Sequence, residues 1–388
     1  MRFPAPLSLS LFYLTSFGVL GVYLPYFNIY LTTLGLGGLQ IGIVSALLPL
    51  CGAIVPTAGG LLADRLGLRR EIIVVSSLLA LGAFALVPAV RGFAGVALVI
   101  GVFAAVRAPA LPLVEATAME ISEGGGPPYG RMRSWGSVAF IGMALATGGA
   151  MGARGAGTIL PIVLALLALN VASTLLLPPG PGRLPGRGRL SALAGLLRRP
   201  RVLLFLAACV LSQVAHGPYY VFYSIHLKDS GYTPEAIGLL WGIAVACEVA
   251  ALLRMPAILS RLGTLPTMAI GLLLSALRWW ICAVTVAPWP MAAAQALHAA
   301  TYAAFHVAAV THTHRLFGQD RRASGQAIYN SATYGIGNAL GMCLSGILYD
   351  RGGAAALFAR ASWVALLGGL LVLAAARAER RAGAGAAG

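Results

Sequence analysis

Ionisable side chains stand inside long apolar stretches of this 388-residue sequence, where such side chains are rare. These residues are Arg107, Glu115, His216, Glu248, Arg278, His298 and His306. Carboxylates and imidazoles can exchange protons when their surroundings tune them, and arginines bind carboxylates through paired hydrogen bonds. The residue types therefore favour proton transfer and anion binding. No stretch offers a nucleophile–base pair or a metal-ligand set, and the five cysteines are isolated from one another.

Glu248 and Arg278 each lie near the middle of one of two consecutive apolar stretches. If these stretches cross a bilayer, the short Glu248 side chain cannot reach the water beyond it and needs a cation or a polar cavity. A charge at the centre of a membrane helix costs about 2.5–3.5 kcal/mol on insertion scales, so both residues are functional candidates. Arg278 is the predicted partner of Glu248, either in transport or as a structural pair that joins two helices.

Arg107 and Glu115 share one apolar stretch, and Pro109 and Pro112 lie between them. The prolines predict a kink, which leaves the relative direction of the two side chains open. Arg133 begins the following stretch, close to Glu115. Either arginine can neutralise Glu115, and the other is then free to bind a substrate carboxylate. Arg107 is the favoured substrate ligand, and a structural Arg107–Glu115 pair is the alternative.

Polar residues recur on one helical face in three of the stretches. The three sets are Gln213, His216, Tyr220 and Tyr223; Gln295, His298, Tyr302 and His306; and Gln326, Asn330, Thr333 and Asn338. A lipid-facing surface would not collect such residues. These faces predict a polar cavity, with hydrogen bonding between helices as the alternative for each residue. His216, Tyr220, Gln326 and Asn330 are assigned to solute binding.

The composition places all these residues in a membrane protein. Hydrophobic residues make up 59% of the sequence and charged residues 10%, and the mean hydropathy is +0.85. An ordinary soluble domain is about 25% charged, and so few charges cannot cover a soluble chain of this length. Soluble enzymes are excluded. No nucleotide-binding Gly-rich loop is present, so an ion gradient or the solute's own gradient must supply the energy, and no cofactor is predicted.

Stretches of about 20 apolar residues, long enough to cross a bilayer, divide the sequence into twelve predicted spans. Their approximate bounds are 7–31, 40–63, 71–90, 93–121, 133–153, 157–177, 202–226, 235–259, 265–287, 289–316, 323–348 and 354–376. With both termini in the cytoplasm, most of the 27 Lys and Arg residues fall in cytoplasmic segments. The net charge of +16 therefore indicates orientation and not a nucleic-acid partner. His312 and His314 are expected to be solvated at the cytoplasmic end of the tenth span.

The longest connection separates the spans into two sets of six. We predict an N-terminal six-helix bundle over residues 1–177, a cytoplasmic Arg/Pro/Gly-rich linker over 178–201, a C-terminal six-helix bundle over 202–376 and a cytoplasmic tail over 377–388. This is the layout of a duplicated transporter. The predicted fold class is an all-α integral membrane protein with twelve helices in two pseudo-symmetric bundles.

The segment that follows the second span contains a motif of glycines and charged residues: Gly60, Asp64, Arg65, Gly67, Arg69 and Arg70. This motif resembles the cytoplasmic signature of the major facilitator superfamily. Asp64 ends a helix at the negative end of its dipole and needs an arginine or another helix N-terminus, which could lock one conformation. Gly67 permits a tight turn. We assign the six residues to conformational gating; a basic loop with an incidental aspartate is the alternative. The sequence Ser260–Gly263, after the eighth span, repeats part of this motif.

Further motifs resemble the phenylpropionate permease branch of this superfamily, which is related to lactose permease. They are Tyr129–Ser137, His216–Tyr223, Ile237–Trp241, Glu248–Val249, Arg278–Trp279 and Gln295–His298. The resemblance implies proton-coupled symport of an aromatic acid by alternating access. Drug or metabolite export by proton antiport, and a non-transporting assembly or sensor protein, are the alternatives.

The resemblance to lactose permease also implies roles for individual residues. That family carries a glutamate, an arginine and a histidine on its eighth, ninth and tenth helices, which match Glu248, Arg278 and His298, with His306 a second candidate. The tenth span here lacks the family's acid, so Glu248, or Glu115 in the other half, is the expected proton carrier. The expected partners are a small solute, protons and lipid. We expect a monomer in the inner membrane of a bacterium.

Overall fold

The computed structural model describes residues 4–179 and 197–384, and the side chains of these residues other than Asp64, Asp320, Ala323 and residues 381–384. The described chain is helical. Its α-helices are α1 (Ala5–Thr33), α2 (Gly38–Leu66), α3 (Arg69–Ala85), α4 (Gly92–Arg107), α5 (Ala110–Glu123), α6 (Tyr129–Arg154), α7 (Ile159–Leu175), α8 (Pro200–Asp229), α9 (Pro234–Leu252), α10 (Met255–Leu262), α11 (Thr264–Val284), α12 (Pro288–Ala296), α13 (Phe305–Phe317), α14 (Arg322–Asn330) and α15 (Asn338–Ala384). Two π-helices, Ala299–Ala304 and Ser331–Gly337, link α12 to α13 and α14 to α15.

Ten helices in the described part of the chain are long and apolar enough to cross a membrane. One of them, Ser324–Arg380, contains two predicted spans, which meet where the φ of 67° at Gly353 interrupts the helical backbone. The tenth predicted span corresponds to α12, the first π-helix and α13. Each of the twelve predicted spans thus has a helical counterpart, and the all-α membrane class is confirmed.

Prolines interrupt the fourth span, as predicted. α4 ends at Arg107 and α5 begins at Ala110, because Pro109 lacks the N–H that would continue the helical hydrogen bonds. α2 packs closely against this break, since a Cβ on Gly59 would lie 2.7 Å from the Pro109 Cβ. The break leaves Arg107 as the last residue of its helix.

The residues form two compact units. The first comprises Met1–Pro185 and Tyr220–Gly242, and the second Gly186–Tyr219 and Ile243–Gly388. Most of the predicted linker, 178–201, lies outside the described residues, so its character stays a prediction. At the C-terminal end, α15 continues to Ala384, beyond the predicted end of the last span.

Helix α1 is the buried centre of the first unit and packs mainly on α6 and α7. The hydroxyl of Tyr26 is 2.7 Å from the Ala144 carbonyl oxygen and 3.0 Å from that of Pro234. Asn28 donates hydrogen bonds of 3.1 Å to the carbonyls of Tyr220 and Val221. Polar side chains of α1 therefore hold the segment Tyr220–Gly242 in this unit.

In the second unit, α8 and α15 approach each other through glycines. A Cβ on Gly217 would collide with the backbone of Gly341, and a Cβ on Gly341 would lie 2.8 Å from the Val214 Cα. Small residues at such crossings let membrane helices approach closely.

Replacing Gly341 by alanine should therefore lower the thermal unfolding temperature of the purified protein. The added methyl group must displace the α8 backbone, and such overpacking costs about 1–3 kcal/mol. Gly369→Ala on the same helix is the matched control, because its Cβ would meet only the Leu272 Cβ at an ordinary 3.7 Å. Equal unfolding temperatures for the two variants, measured in one detergent, would show that the crossing is not tight.

Candidate functional site

Arg278 lies at the centre of a polar cluster in the second unit. Its side chain is fully buried, on α11. Nη1 donates to His298 Nδ1 at 2.8 Å and to Thr301 Oγ1 at 3.2 Å, and Nη2 donates to Gln295 Oε1 at 3.0 Å. His298 Nε2 is 3.6 Å from Glu248 Oε2. The sequence paired Glu248 directly with Arg278; in the structure the His298 imidazole contacts both residues.

These contacts determine where the proton on His298 resides. A guanidinium can only donate hydrogen bonds, so His298 Nδ1 must accept one and carry no proton. The remaining ring proton is then on Nε2, which faces the Glu248 carboxylate. His298 therefore connects a permanent positive charge on one side to a titratable carboxylate on the other.

Aromatic rings enclose the Arg278 guanidinium. Its Cζ lies 4.4 Å from the ring centres of both Tyr219 and Trp279. His216, a predicted solute ligand, meets the Trp279 ring edge-on at 5.1 Å and lies 6.4 Å from His298. Its Nδ1 donates to the Ser212 carbonyl at 2.8 Å, because a carbonyl can only accept. These rings hold the cluster in one geometry.

His306, the second predicted histidine of the tenth span, continues the cluster along the chain. Tyr302 stacks on His298 with ring centres 5.1 Å apart and on His306 at 6.4 Å. His306 Nδ1 is 2.7 Å from the Tyr334 hydroxyl and 3.3 Å from that of Tyr329. Tyr302 and Tyr334 both lie in the π-helices, which are rare and frequently occur at functional sites. The sequence contained no signal for these π turns.

In the first unit, the two arginines that could neutralise Glu115 have different partners. Glu115 contacts the Tyr129 hydroxyl at 3.5 Å and interacts electrostatically with Arg133, whose Cζ is 3.6 Å from the Phe17 ring centre. Arg107 instead donates to the Ser16 carbonyl at 3.2 Å. No carboxylate of the described residues lies within 4 Å of it, so the alternative of an Arg107–Glu115 pair is not what the structure shows.

Two of the remaining predicted solute ligands, Gln326 and Asn330, contact each other. Gln326 donates to Asn330 Oδ1 at 3.1 Å within α14, and Asn330 is exposed. Tyr220 belongs to the first unit, where its carbonyl accepts the hydrogen bond from Asn28. Among the predicted solute ligands, His216 is the one that the structure brings next to His298.

The predicted gating motif forms the turn between α2 and α3. Gly67 adopts the left-handed conformation at a φ of 68°, and its N–H closes α2 on the Ala63 carbonyl. This confirms the turn predicted from the glycine. Arg65 is exposed and a Cβ on Gly60 would meet open space, while the Asp64 side chain lies outside the described part of the structure.

The two arginines at the start of α3 connect three helix ends. Arg69 is buried, and its Nη1 donates to both Glu120 oxygens at 2.9 and 2.8 Å, at the end of α5. Arg70 donates to the Leu175 carbonyl at the C-terminus of α7, which suits the negative end of a helix dipole. Sequence reasoning missed Glu120, because a carboxylate near a span end is ordinarily solvated.

A second cluster occupies the corresponding place in the second unit. The hydroxyl of Thr264, at the start of α11, lies 3.1 Å from His312 Nδ1. On the other side of the ring, His312 Nε2 lies 3.2 Å from Glu379 Oε1. The expectation that His312 is solvated is wrong: it is 3% exposed, because its helix end packs against α11 and α15. His314 is partly exposed and accepts a hydrogen bond from Arg322.

The fold and these clusters define a multi-pass membrane transporter, and the comparisons with known proteins agree. The chain matches the MFS_1 like family over residues 7–360 and belongs to it. Among proteins of the same class, it is 30% identical to a probable 3-phenylpropionic acid transporter of Escherichia coli (strain K12) over 362 residues, 88% of this chain and 90% of the relative. It is 26% identical to a maltose permease of Geobacillus stearothermophilus over 381 residues, 96% of this chain and 95% of the relative.

Solved structures support the fold. The nucleoside transporter NupG matches with a TM-score of 0.86 and 19% identity, covering 96% of this chain and 99% of that one. A peptide transporter POT matches with a TM-score of 0.71 and 17% identity, covering 97% and 95%. These relatives are transporters of small solutes and not enzymes. The major facilitator fold predicted from the sequence is therefore confirmed.

Breaking the Arg69–Glu120 ion pair should destabilise the first unit. Arg69→Gln leaves Glu120 without its partner, and we expect an effect of about 1–3 kcal/mol, since Glu120 is 35% exposed and water screens part of the loss. Arg65→Gln, at an exposed arginine of the same motif, is the control. Thermal unfolding of Arg69→Gln, Glu120→Gln and the double variant tests this; additive effects of the two substitutions would show that the pair is not coupled.

Proposed function

We propose that this protein is a proton-coupled symporter of small organic acids, such as aromatic carboxylic acids, that works by alternating access. The observation that carries the proposal is the contact sequence Arg278–His298–Glu248 in membrane-spanning helices. Similarity to the 3-phenylpropionic acid transporter supports the class of solute. Proton coupling is inferred from the cluster itself.

The electrical balance of the cluster explains why it would respond to protons. The described hydrogen-bond acceptors of Arg278 are neutral groups, those of Gln295, His298 and Thr301. The guanidinium charge is therefore balanced through His298 by the Glu248 carboxylate. When Glu248 takes up a proton, this balance is lost and the buried cluster gains one positive charge.

That gain of charge links the proton to an anionic solute. In a medium of low dielectric constant, a positive charge and an anion each favour the binding of the other. A carboxylate solute therefore binds more tightly when Glu248 is protonated, and releasing either one weakens the binding of the other. This linkage produces symport of an acid with a proton, and we propose that it needs no cofactor.

We further propose that the protein acts as a monomer in a bacterial inner membrane with both termini in the cytoplasm. The distribution of the 27 Lys and Arg residues supports this orientation. Two variants test this orientation. Each lacks the native cysteines and carries one new cysteine, through either Arg315→Cys or Lys228→Cys. We expect a membrane-impermeant thiol reagent added to intact cells to label the cysteine at 228 and not the one at 315, and the reverse pattern would contradict the orientation.

Glu248→Gln should abolish the dependence of uptake on a pH gradient while retaining exchange of solute across the membrane. The amide keeps the size and polarity of the side chain but cannot take up or release the proton. Glu123→Gln, at an exposed glutamate that ends α5, is the matched control.

The measurement is uptake of radiolabelled 3-phenylpropionate into proteoliposomes, with and without an inward proton gradient, beside exchange at equal pH. Gradient-stimulated uptake by Glu248→Gln equal to that of the unmodified protein would refute Glu248 as the proton carrier. Uptake that is stimulated by an outward proton gradient, in exchange for protons, would instead favour an exporter.

A further inference from the structure

Arg107 is a membrane-embedded charge, and no carboxylate of the described side chains forms an ion pair with it. The described part of the chain gives its guanidinium one hydrogen bond, to the Ser16 carbonyl, whereas an arginine has five N–H donors. Arg133, by contrast, interacts with Glu115 and lies over the Phe17 ring. A charge with so few described partners within a span is a candidate for binding an anionic solute.

Tyr23 is positioned to share that environment. Ser16 and Tyr23 are seven residues apart on α1, which is within about 20° of two full helical turns, so both lie on one face. The Ser16 carbonyl points towards the C-terminus of the helix, whereas the Tyr23 side chain leans back towards its N-terminus. The guanidinium bound at Ser16 and the Tyr23 phenol therefore converge on the same level of α1.

The distances of Tyr23 and Arg107 from the Phe103 ring agree with this convergence. The Tyr23 ring centre is 6.4 Å from that of Phe103, and Arg107 Cζ is 5.9 Å from the same ring. The two side chains thus flank one aromatic ring.

The Tyr23 hydroxyl is buried and has no hydrogen-bond partner among the described residues. The side chain as a whole is 6% exposed. Buried hydroxyls in folded proteins are almost always paired, so an unpaired one beside this arginine indicates a missing acceptor. One acceptor that carries a negative charge would satisfy both groups.

We propose that Arg107 and Tyr23 form the site that binds the carboxylate of the transported solute. This inference rests on the proposed transport function and specifies its solute as a monocarboxylate. One carboxylate oxygen accepts from the guanidinium in a charge-assisted hydrogen bond and the group also accepts from the phenol. Such a site favours an organic acid over a neutral sugar or nucleoside. Sugars and nucleosides are the solutes in the names of the maltose permease and the nucleoside transporter to which the chain is similar.

The aromatic cluster around Tyr23 makes the phenol a rigid donor. Its ring stacks on Phe27 with centres 4.4 Å apart, and Phe84 packs edge-on against Phe103 at 5.2 Å. Because the ring cannot turn freely, the hydroxyl loses little conformational entropy when the anion binds. The same rings exclude water, which strengthens a charge-assisted hydrogen bond.

The test compares an acid with its neutral analogue. Binding of 3-phenylpropionate and of 3-phenylpropanamide to the purified full-length protein is measured by calorimetry, together with a panel of shorter and longer monocarboxylates. We expect the unmodified protein to prefer the acid, and Tyr23→Phe to weaken acid binding about tenfold, as loss of one hydrogen bond to a charged group does. Arg107→Lys should weaken acid binding further, and both variants should bind the amide as before.

Tyr30→Phe is the matched control. Tyr30 lies two helical turns after Tyr23 on the same face of α1, and its ring packs on that of Phe27. Unchanged acid binding by Tyr23→Phe, equal binding of acid and amide by the unmodified protein, or no binding of any monocarboxylate in the panel would overturn the proposal. Tyr23→Phe and Arg107→Lys are conservative changes, and thermal unfolding verifies that each variant is folded.

Failure here is distinguishable from failure of proton coupling. If the protein binds only neutral solutes, but the Glu248→Gln variant loses the response of uptake to a pH gradient, the Arg107–Tyr23 site is refuted and the proton site is supported. Acid binding that depends on Arg107 and Tyr23, with uptake that ignores the pH gradient, would do the opposite.

Discussion

The structure depends on one constraint: a charge inside a membrane-spanning helix must be compensated, because the hydrocarbon around it does not solvate ions. Arg69 meets this constraint with a carboxylate on another helix, and Arg133 with an aromatic face and Glu115. The described hydrogen bonds of Arg278 go to neutral acceptors, and one of these, the His298 imidazole, also contacts Glu248. Within each unit, these contacts connect the helices that carry the charged residues.

The difference between a direct ion pair and one bridged by histidine has chemical consequences. In a direct pair, protonating the acid removes the attraction and leaves the two helices unconnected. With His298 interposed, Arg278 keeps its hydrogen bond to Nδ1 whatever the state of Glu248, so the cluster can change charge without coming apart. Two aromatic rings on the guanidinium reinforce this independence. A cluster of this kind suits a site that must bind and release a proton in each cycle.

Sequence reasoning predicted the features that depend on a single helix. The spans, the interruption at Pro109 and the turn at Gly67 follow from hydropathy, the missing proline N–H and the glycine backbone, all of which are local. It failed where the answer depends on how helices are rotated against one another. Periodicity within one span does not show how neighbouring helices are rotated, so it could not show that His298 contacts both Glu248 and Arg278.

The two halves show which features the fold imposes and which the function selects. Gly67 and Gly263 both take positive φ values just before α3 and α11, and at each place the start of the new helix is connected to two other helix ends. One half makes the connection with two permanently charged arginines, Arg69 and Arg70, the other with the hydroxyl of Thr264 and the imidazole of His312. The connection is thus a requirement of the repeated fold, which different side chains can meet. The described arginines at mid-membrane differ between the halves: Arg107 donates to a backbone carbonyl, whereas Arg278 donates to the side chains of Gln295, His298 and Thr301. Such a difference is what we expect if the solute and the proton, as we propose, determine which residues stand at mid-membrane.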